Sequence, residues 1–208
     1  ALLKTLEEPP GNTVLILISH MPSKLLATIK SRCQNLSIRP LSDENLAPII
    51  NQAMSGLSDY EKNILIRLSN GSQGRVMELA EGNGVEIYQI IKDLLSSLPN
   101  IDRIKLHKML DRFSGSSGEN TFRLFNSLLL WWIARTIRYI SLKHNDVRKE
   151  IPDDEIEVIK SLTKYGHEQW FNCWDKMNNL LHPSEVSYLD KKQVTLNVFS
   201  ELIKATRN

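Results

Sequence analysis

The chain has 208 residues, 41% hydrophobic and 24% charged, enough to bury roughly 70% of its unfolded surface in one to three small domains. A formal net charge of +2 is too small to argue by itself for a nucleic-acid binder. No apolar run approaches the ~18 residues of a membrane span, and Cys33 and Cys173 alone make neither a disulfide framework nor a four-cysteine zinc site, so a reducing cytoplasm is the expected compartment.

From the first residue, Leu2-Leu3-Lys4-Thr5-Leu6-Glu7-Glu8 reads as a helix already under way, stopped by Pro9 and Pro10. It has no cap, no initiator methionine and no signal-peptide layout, so the chain is expected to be the C-terminal part of a longer protein. Thr13-Val14-Leu15-Ile16-Leu17-Ile18-Ser19 is a continuous apolar run between Gly11 and Pro22, the pattern of a strand buried on both faces. Pro22 to Lys30 carries Leu25, Leu26 and Ile29 at helical spacing, and Gln34 to Arg39 alternates polar and apolar before Pro40. Residues 1–40 are therefore expected to form a piece of an α/β layer, with Ser31, Arg32 and Cys33 at a helix-to-strand joint. A strand apolar on both sides needs partners that the rest of the chain hardly offers.

From Leu41 onward the pattern is helical. Ser42 with Asp43 and Glu44 starts a helix to about Met54; Ser58 and Glu61 form a capping box for the next, which stops at Asn70-Gly71; Ser72 opens a third that ends near Gly82. These make a three-helix module over residues 41–82. Longer helices are predicted over about 85–98, 101–113, 119–144, 152–165, 167–182 and 190–206, the last started by Asp190 with Gln193 three residues on. Ser114-Gly115-Ser116-Ser117-Gly118 is the clearest flexible loop.

Three groups of these residues carry a resemblance. Ala1 to Pro10, the strand ending Ile18-Ser19-His20, and Leu25-Leu26-Ala27-Thr28-Ile29-Lys30-Ser31-Arg32-Cys33 together are similar to the second half of the ATPase core of bacterial clamp loaders. Gly71-Ser72-Gln73-Gly74-Arg75 resembles the family's lid turn, and Leu189-Asp190-Lys191-Lys192-Gln193 the start of its last collar helix.

The resemblance implies a mainly α chain: a remnant of an α/β AAA+ core (1–40), a three-helix lid (41–82) and an all-α collar (83–208) that closes a ring with other loader subunits. It implies a sliding clamp and primed DNA as partners through the complex, and no membrane. Arg32 would be an arginine finger aimed at ATP and Mg²⁺ held by the neighbouring subunit, with Ser31 and Cys33 as structural neighbours in the motif. Arg75, Ser19 and His20 fall at nucleotide-sensing positions, although ATP-using relatives often carry threonine where Ser19 and His20 stand. There is no Gly-x-x-x-x-Gly-Lys-Ser/Thr cradle, so no cofactor and no intrinsic turnover are expected of this chain, a subunit of a nucleotidyltransferase complex. In the family's sheet the strands at 13–19 and 34–39 flank a third that is not in this sequence. Residues 1–40 are therefore expected to be re-paired, or supported by another copy or segment.

Other conspicuous residues read as structural. Arg32 at a helix C-terminus also suits the helix dipole, worth about 0.3 to 1 kcal/mol, and Arg75 has a plain reading as a first-turn surface residue. Cys33 reads as a small buried residue. Trp131, Trp132, Trp170, Phe171 and Trp174 read as core. The basic flank Arg123, Arg135 and Arg138 and the acidic start Asp153, Asp154, Glu155 and Glu157 read as solvated faces. His20, His107, His144, His167 and His182 show no paired ligand spacing, so a metal site is not expected. Two alternatives stay open: an ATP-hydrolysing subunit of the same family, and a free-standing helical nucleic-acid-binding protein.

Overall fold

In a computed structural model, residues 2–19, 21–54, 56–142, 151–186 and 190–207 are described. The chain divides into two compact units, Ala1–Pro40 and Leu41–Asn208. His20, His144 and the start of the Leu189 motif lie outside the described residues.

The first unit contains α1 (Leu2–Glu7) and α2 (Ala27–Lys30), with a single 3-10 turn at Pro22–Lys24. The nine-residue helix expected at 22–30 is broken because Leu25 and Leu26 take extended backbone angles. No strand forms among the described residues, which corrects the two strand expectations. Val14, Ile16 and Ile18 are more than 80% exposed, as are Leu36 and Ile38. A strand is a property of its neighbours: without a second strand to accept and donate, extended backbone has no ladder and its apolar side chains have nothing to pack on. The expected re-pairing of residues 1–40 does not occur within the described residues.

Every strand-length or longer regular element among the described residues of the second unit is a helix. The unit comprises α3 (Asp43–Ala53), α4 (Asp59–Ser69), α5 (Gln73–Glu81), α6 (Gly84–Ser96), α7 (Arg103–Asp111) and α8 (Gly118–Ser141), then α9 (Asp153–Leu162), α10 (His167–Val186) and α11 (Lys191–Ala205). The starts follow from local chemistry. Ser58 Oγ accepts from the Glu61 amide at 3.3 Å while the Glu61 carboxylate accepts from the Ser58 amide at 2.8 Å, satisfying two orphan donors at once. That backbone hydrogen bond, and then the Ser58 hydroxyl, hold the Glu61 carboxyl below its ordinary pKa. Asp190 Oδ1 likewise accepts from the Lys192 and Gln193 amides. The end of α4 is set by Asn70, whose φ of 48° is left-handed, a conformation that asparagine tolerates better than most residues.

A single apolar core runs from Leu46 through Leu202. The long α8 is packed by α6 and α10, and α10 carries α11. The faces obey the 3.6 period: Phe122, Phe125, Leu129, Trp132, Ile133 and Tyr139 of α8 are all buried. The Ser114–Gly118 loop is anchored at its end, where a Cβ on Gly118 would stand 2.1 Å from the Phe113 carbonyl oxygen. Only glycine fits there. Trp132 and Trp170 are fully buried, and Trp170 Nε1 donates to the Leu162 carbonyl at 2.8 Å. Phe171 is 53% exposed, contrary to the reading of all five aromatics as core, because it points off the stripe that carries Trp170, Cys173 and Met177.

Candidate functional site

Two places hold the predicted site residues, one in each unit. In the first, α2 ends in a turn in which the Arg32 amide donates to the Ile29 carbonyl and Ser31 Oγ donates to the Thr28 carbonyl at 3.2 Å. The Arg32 side chain folds back over the helix end: Nη1 donates to the Thr28 carbonyl at 3.0 Å and to Ser31 Oγ at 3.3 Å. A guanidinium on an orphan C-terminal carbonyl is favourable by charge and by hydrogen bonding. Its other arm, Nη2, meets Glu7 Oε1 of α1 at 2.5 Å. Both partners stay in contact with water, with side chains 36% and 49% exposed. Cys33 is a free thiol of intermediate exposure, not the buried residue expected. Ser19 Oγ accepts from the Met21 amide at 3.2 Å, so the partners of Ser19 and of Arg32 have no member in common.

In the second unit Arg75 begins α5, where its amide donates to the N-cap Ser72 Oγ at 3.2 Å. Its guanidinium is spoken for: Nη1 binds Glu78 Oε2 at 2.7 Å and Nη2 donates to Ser127 Oγ of α8 at 2.6 Å. It is thus a tie between the three-helix module and α8, not a lone surface arginine.

The strongest polar feature of this unit was misread at the sequence level. Glu155, expected on a solvated acidic face, has no exposed side-chain surface. Its Oε1 accepts from Arg67 Nη2 of α4 at 2.8 Å and from the Tyr88 hydroxyl of α6 at 2.5 Å, and Oε2 faces Arg135 Nε of α8 at 3.1 Å. Burial first, and then the adjacent carboxylate, push the Tyr88 pKa far above the ordinary phenol value, so the hydroxyl remains a donor. Next to it Asp154 Oδ2 accepts from Lys92 Nζ and from the Tyr60 hydroxyl, each at 2.7 Å. Burial opposes ionisation of Asp154, but the Lys92 and Tyr60 hydrogen bonds outweigh it and its pKa is lowered. The aromatic wall is Tyr88 stacked on Trp132 at 5.4 Å, with the Arg135 guanidinium 4.9 Å from the Trp131 ring.

A signal for this hub was present. Counting from Glu155, the positions three, four and seven residues on are Val158, Ile159 and Leu162, all buried. A lone carboxylate on the apolar stripe of a helix has to be paired when that stripe is buried.

The chain's first 42 residues match the family model described as DNA polymerase III, delta subunit. The chain is 79% identical over 33 residues, 16% of its length, to the DNA polymerase III subunit delta' of Pseudomonas aeruginosa. It is 33% identical over 103 residues, 49% of its length, to the delta' subunit of Escherichia coli. It is 29% identical over 156 residues, 69% of its length, to the tau subunit of Salmonella typhimurium. These stretches span 10%, 30% and 24% of those three relatives. Over these parts of its length the chain is similar to delta' and tau subunits of DNA polymerase III. The likeness is to delta' subunits over the first residues and to both delta' and tau subunits further along the chain. Among the described residues no helix is long and apolar enough to cross a membrane.

Proposed function

We propose that the chain serves as a delta' subunit of a clamp loader. In this reading it is a non-hydrolysing member of a hetero-oligomeric ring with gamma/tau-type and delta-type subunits, which places a sliding clamp on primed DNA. The observation that carries the proposal is the family match over residues 1–42, the segment that contains Thr28 to Cys33. Arg32 then acts in trans on ATP and Mg²⁺ bound by a neighbour, where a guanidinium offsets charge developing on the transferred phosphoryl oxygens. The geometry is compatible with this role. The Glu7 tie is half-exposed, and exposed ion pairs are worth about 0.2 to 1 kcal/mol, so a triphosphate with several negative charges can draw the guanidinium away. Arg75, Ser19 and His20 remain nucleotide-sensing candidates, with Arg75 having to leave Glu78 and Ser127 to act so.

The experiment is primed-DNA-stimulated ATP turnover by the reconstituted complex with Arg32→Ala. Fingers in other nucleotide hydrolases are worth on the order of 10³ to 10⁵ in rate, and a fall of at least tenfold with the complex still assembled is expected. Unchanged turnover would remove the finger. The second reading is an ATP-hydrolysing gamma/tau-type subunit, supported by the tau match over 69% of the chain, although a delta' subunit of Buchnera aphidicola matches over 86% of it. Stoichiometric binding of labelled ATP by the full-length protein alone decides for it.

A further inference from the structure

A groove of about 440 Å³ runs between the α6–α7 connection with the start of α7 and the outer face of α11. Its floor is aliphatic, from Ile101, Leu196 and Ile203, over the buried ring of Phe199. Its rim is basic, from Arg103, His107 and Arg207.

The carboxylates around it are already engaged. Asp102 accepts from the Lys105 amide as the N-cap of α7, and Asp93 pairs with Lys105 Nζ. Asp111 pairs with Lys192, and Glu201 with Lys176 and Lys204. Among the described residues neither Arg103 nor Arg207 has an ion-pair partner. Two uncompensated guanidiniums beside an aliphatic trough call for a ligand that brings both carboxylates and apolar side chains.

We infer that this groove docks an acidic, apolar-faced segment of a partner protein subunit, Leu- or Ile-type anchors lying on Ile101, Leu196 and Ile203 and Asp or Glu side chains meeting Arg103 and Arg207. Nucleic acid fits less well. The Phe199 ring is sealed under the floor and offers no face for a base to stack on, which leaves the His107 imidazole on the rim as the groove's single exposed ring, against three aliphatic side chains on the floor.

This inference rests on the reading of the chain as a clamp-loader subunit. Its test is a benzophenone cross-linker at exposed Ser200, on the groove wall, in the full-length protein mixed with purified tau-type and delta-type subunits and primed DNA. The expected result is a cross-link to a protein subunit that falls at least fivefold in Arg103→Glu/Arg207→Glu. A cross-link to DNA, one insensitive to the charge reversal, or none at all overturns the inference. Gel filtration of the same mixture reports assembly separately. A ring that forms without a cross-link leaves the clamp-loader reading standing and removes the groove, whereas a chain that joins no ring removes both.

Discussion

Arg67 and Glu155 stand 88 positions apart in the chain and meet at 2.8 Å, one on the three-helix module and the other at the start of α9. A carboxylate with no exposed surface is held by two guanidiniums and a phenol that come from α4, α6 and α8. Removing the carboxylate leaves the buried Tyr88 hydroxyl without its acceptor and takes an ion-pair partner from two largely buried guanidiniums, whereas replacing the whole cluster with apolar residues need not be destabilising.

Glu155→Ala is expected to cost about 3 to 5 kcal/mol, since it removes the buried carboxylate that Arg67, Tyr88 and Arg135 share. Glu155→Gln, which can still accept from Tyr88, should cost clearly less. Urea unfolding followed by circular dichroism measures both. A Glu155→Ala midpoint equal to that of the parent would show that Glu155 is not the hub.

The neighbouring pair sets a pH dependence. Asp154 has a lowered pKa in the folded chain, so its contribution is present above the unfolded value of about 3.9 and is lost as pH falls through the folded pKa. Lys92, whose pKa is raised despite the opposing effect of burial, contributes fully below about 10.4 and loses its contribution as pH climbs through its folded pKa. Asp154→Asn should therefore flatten the acid limb of stability below about pH 4, a change read from urea midpoints at a series of pH values. An acid limb identical to that of the parent contradicts this.

Arg75 and Ser127 should be coupled. A double-mutant cycle of Arg75→Ala and Ser127→Ala is expected to give an interaction of about 0.5 to 1.5 kcal/mol, because the two share a 2.6 Å hydrogen bond. Strict additivity would mean that the contact carries no stability, freeing Arg75 for a nucleotide.

Breaking the Arg32–Glu7 pair should leave the fold unchanged. Glu7→Gln and Arg32→Ala are each expected to shift stability by less than about 1 kcal/mol, because both side chains are solvated. If Arg32 acts on a neighbour's triphosphate, the two variants separate in the reconstituted ATPase, with Glu7→Gln retaining turnover that Arg32→Ala loses. A large stability loss in Arg32→Ala would assign the arginine to its own fold.

The helices of residues 41–205 were legible because each carries its information locally. The Ser58–Glu61 box, the Ser72 and Asp190 caps and the apolar stripe of α8 act within a few residues of one another, and local hydrogen bonds realise them. The strands expected at 13–19 and 34–39 failed for the opposite reason. Their pattern was that of buried sheet, but a ladder is made by partners, and the described residues supply none.

The partners of the charged side chains were decided only by the tertiary structure. From the sequence, Glu155 belonged to an acidic helix start, Arg135 to a basic flank and Arg75 to a first turn. Folding carries Glu155 into the core against Arg67 and Tyr88, and sets Arg75 on Ser127. Helix caps and stripes are fixed by neighbours in the chain, so composition and spacing determine them. An ion pair across 88 residues depends on how helices cross, and that is set by the packing of the whole core.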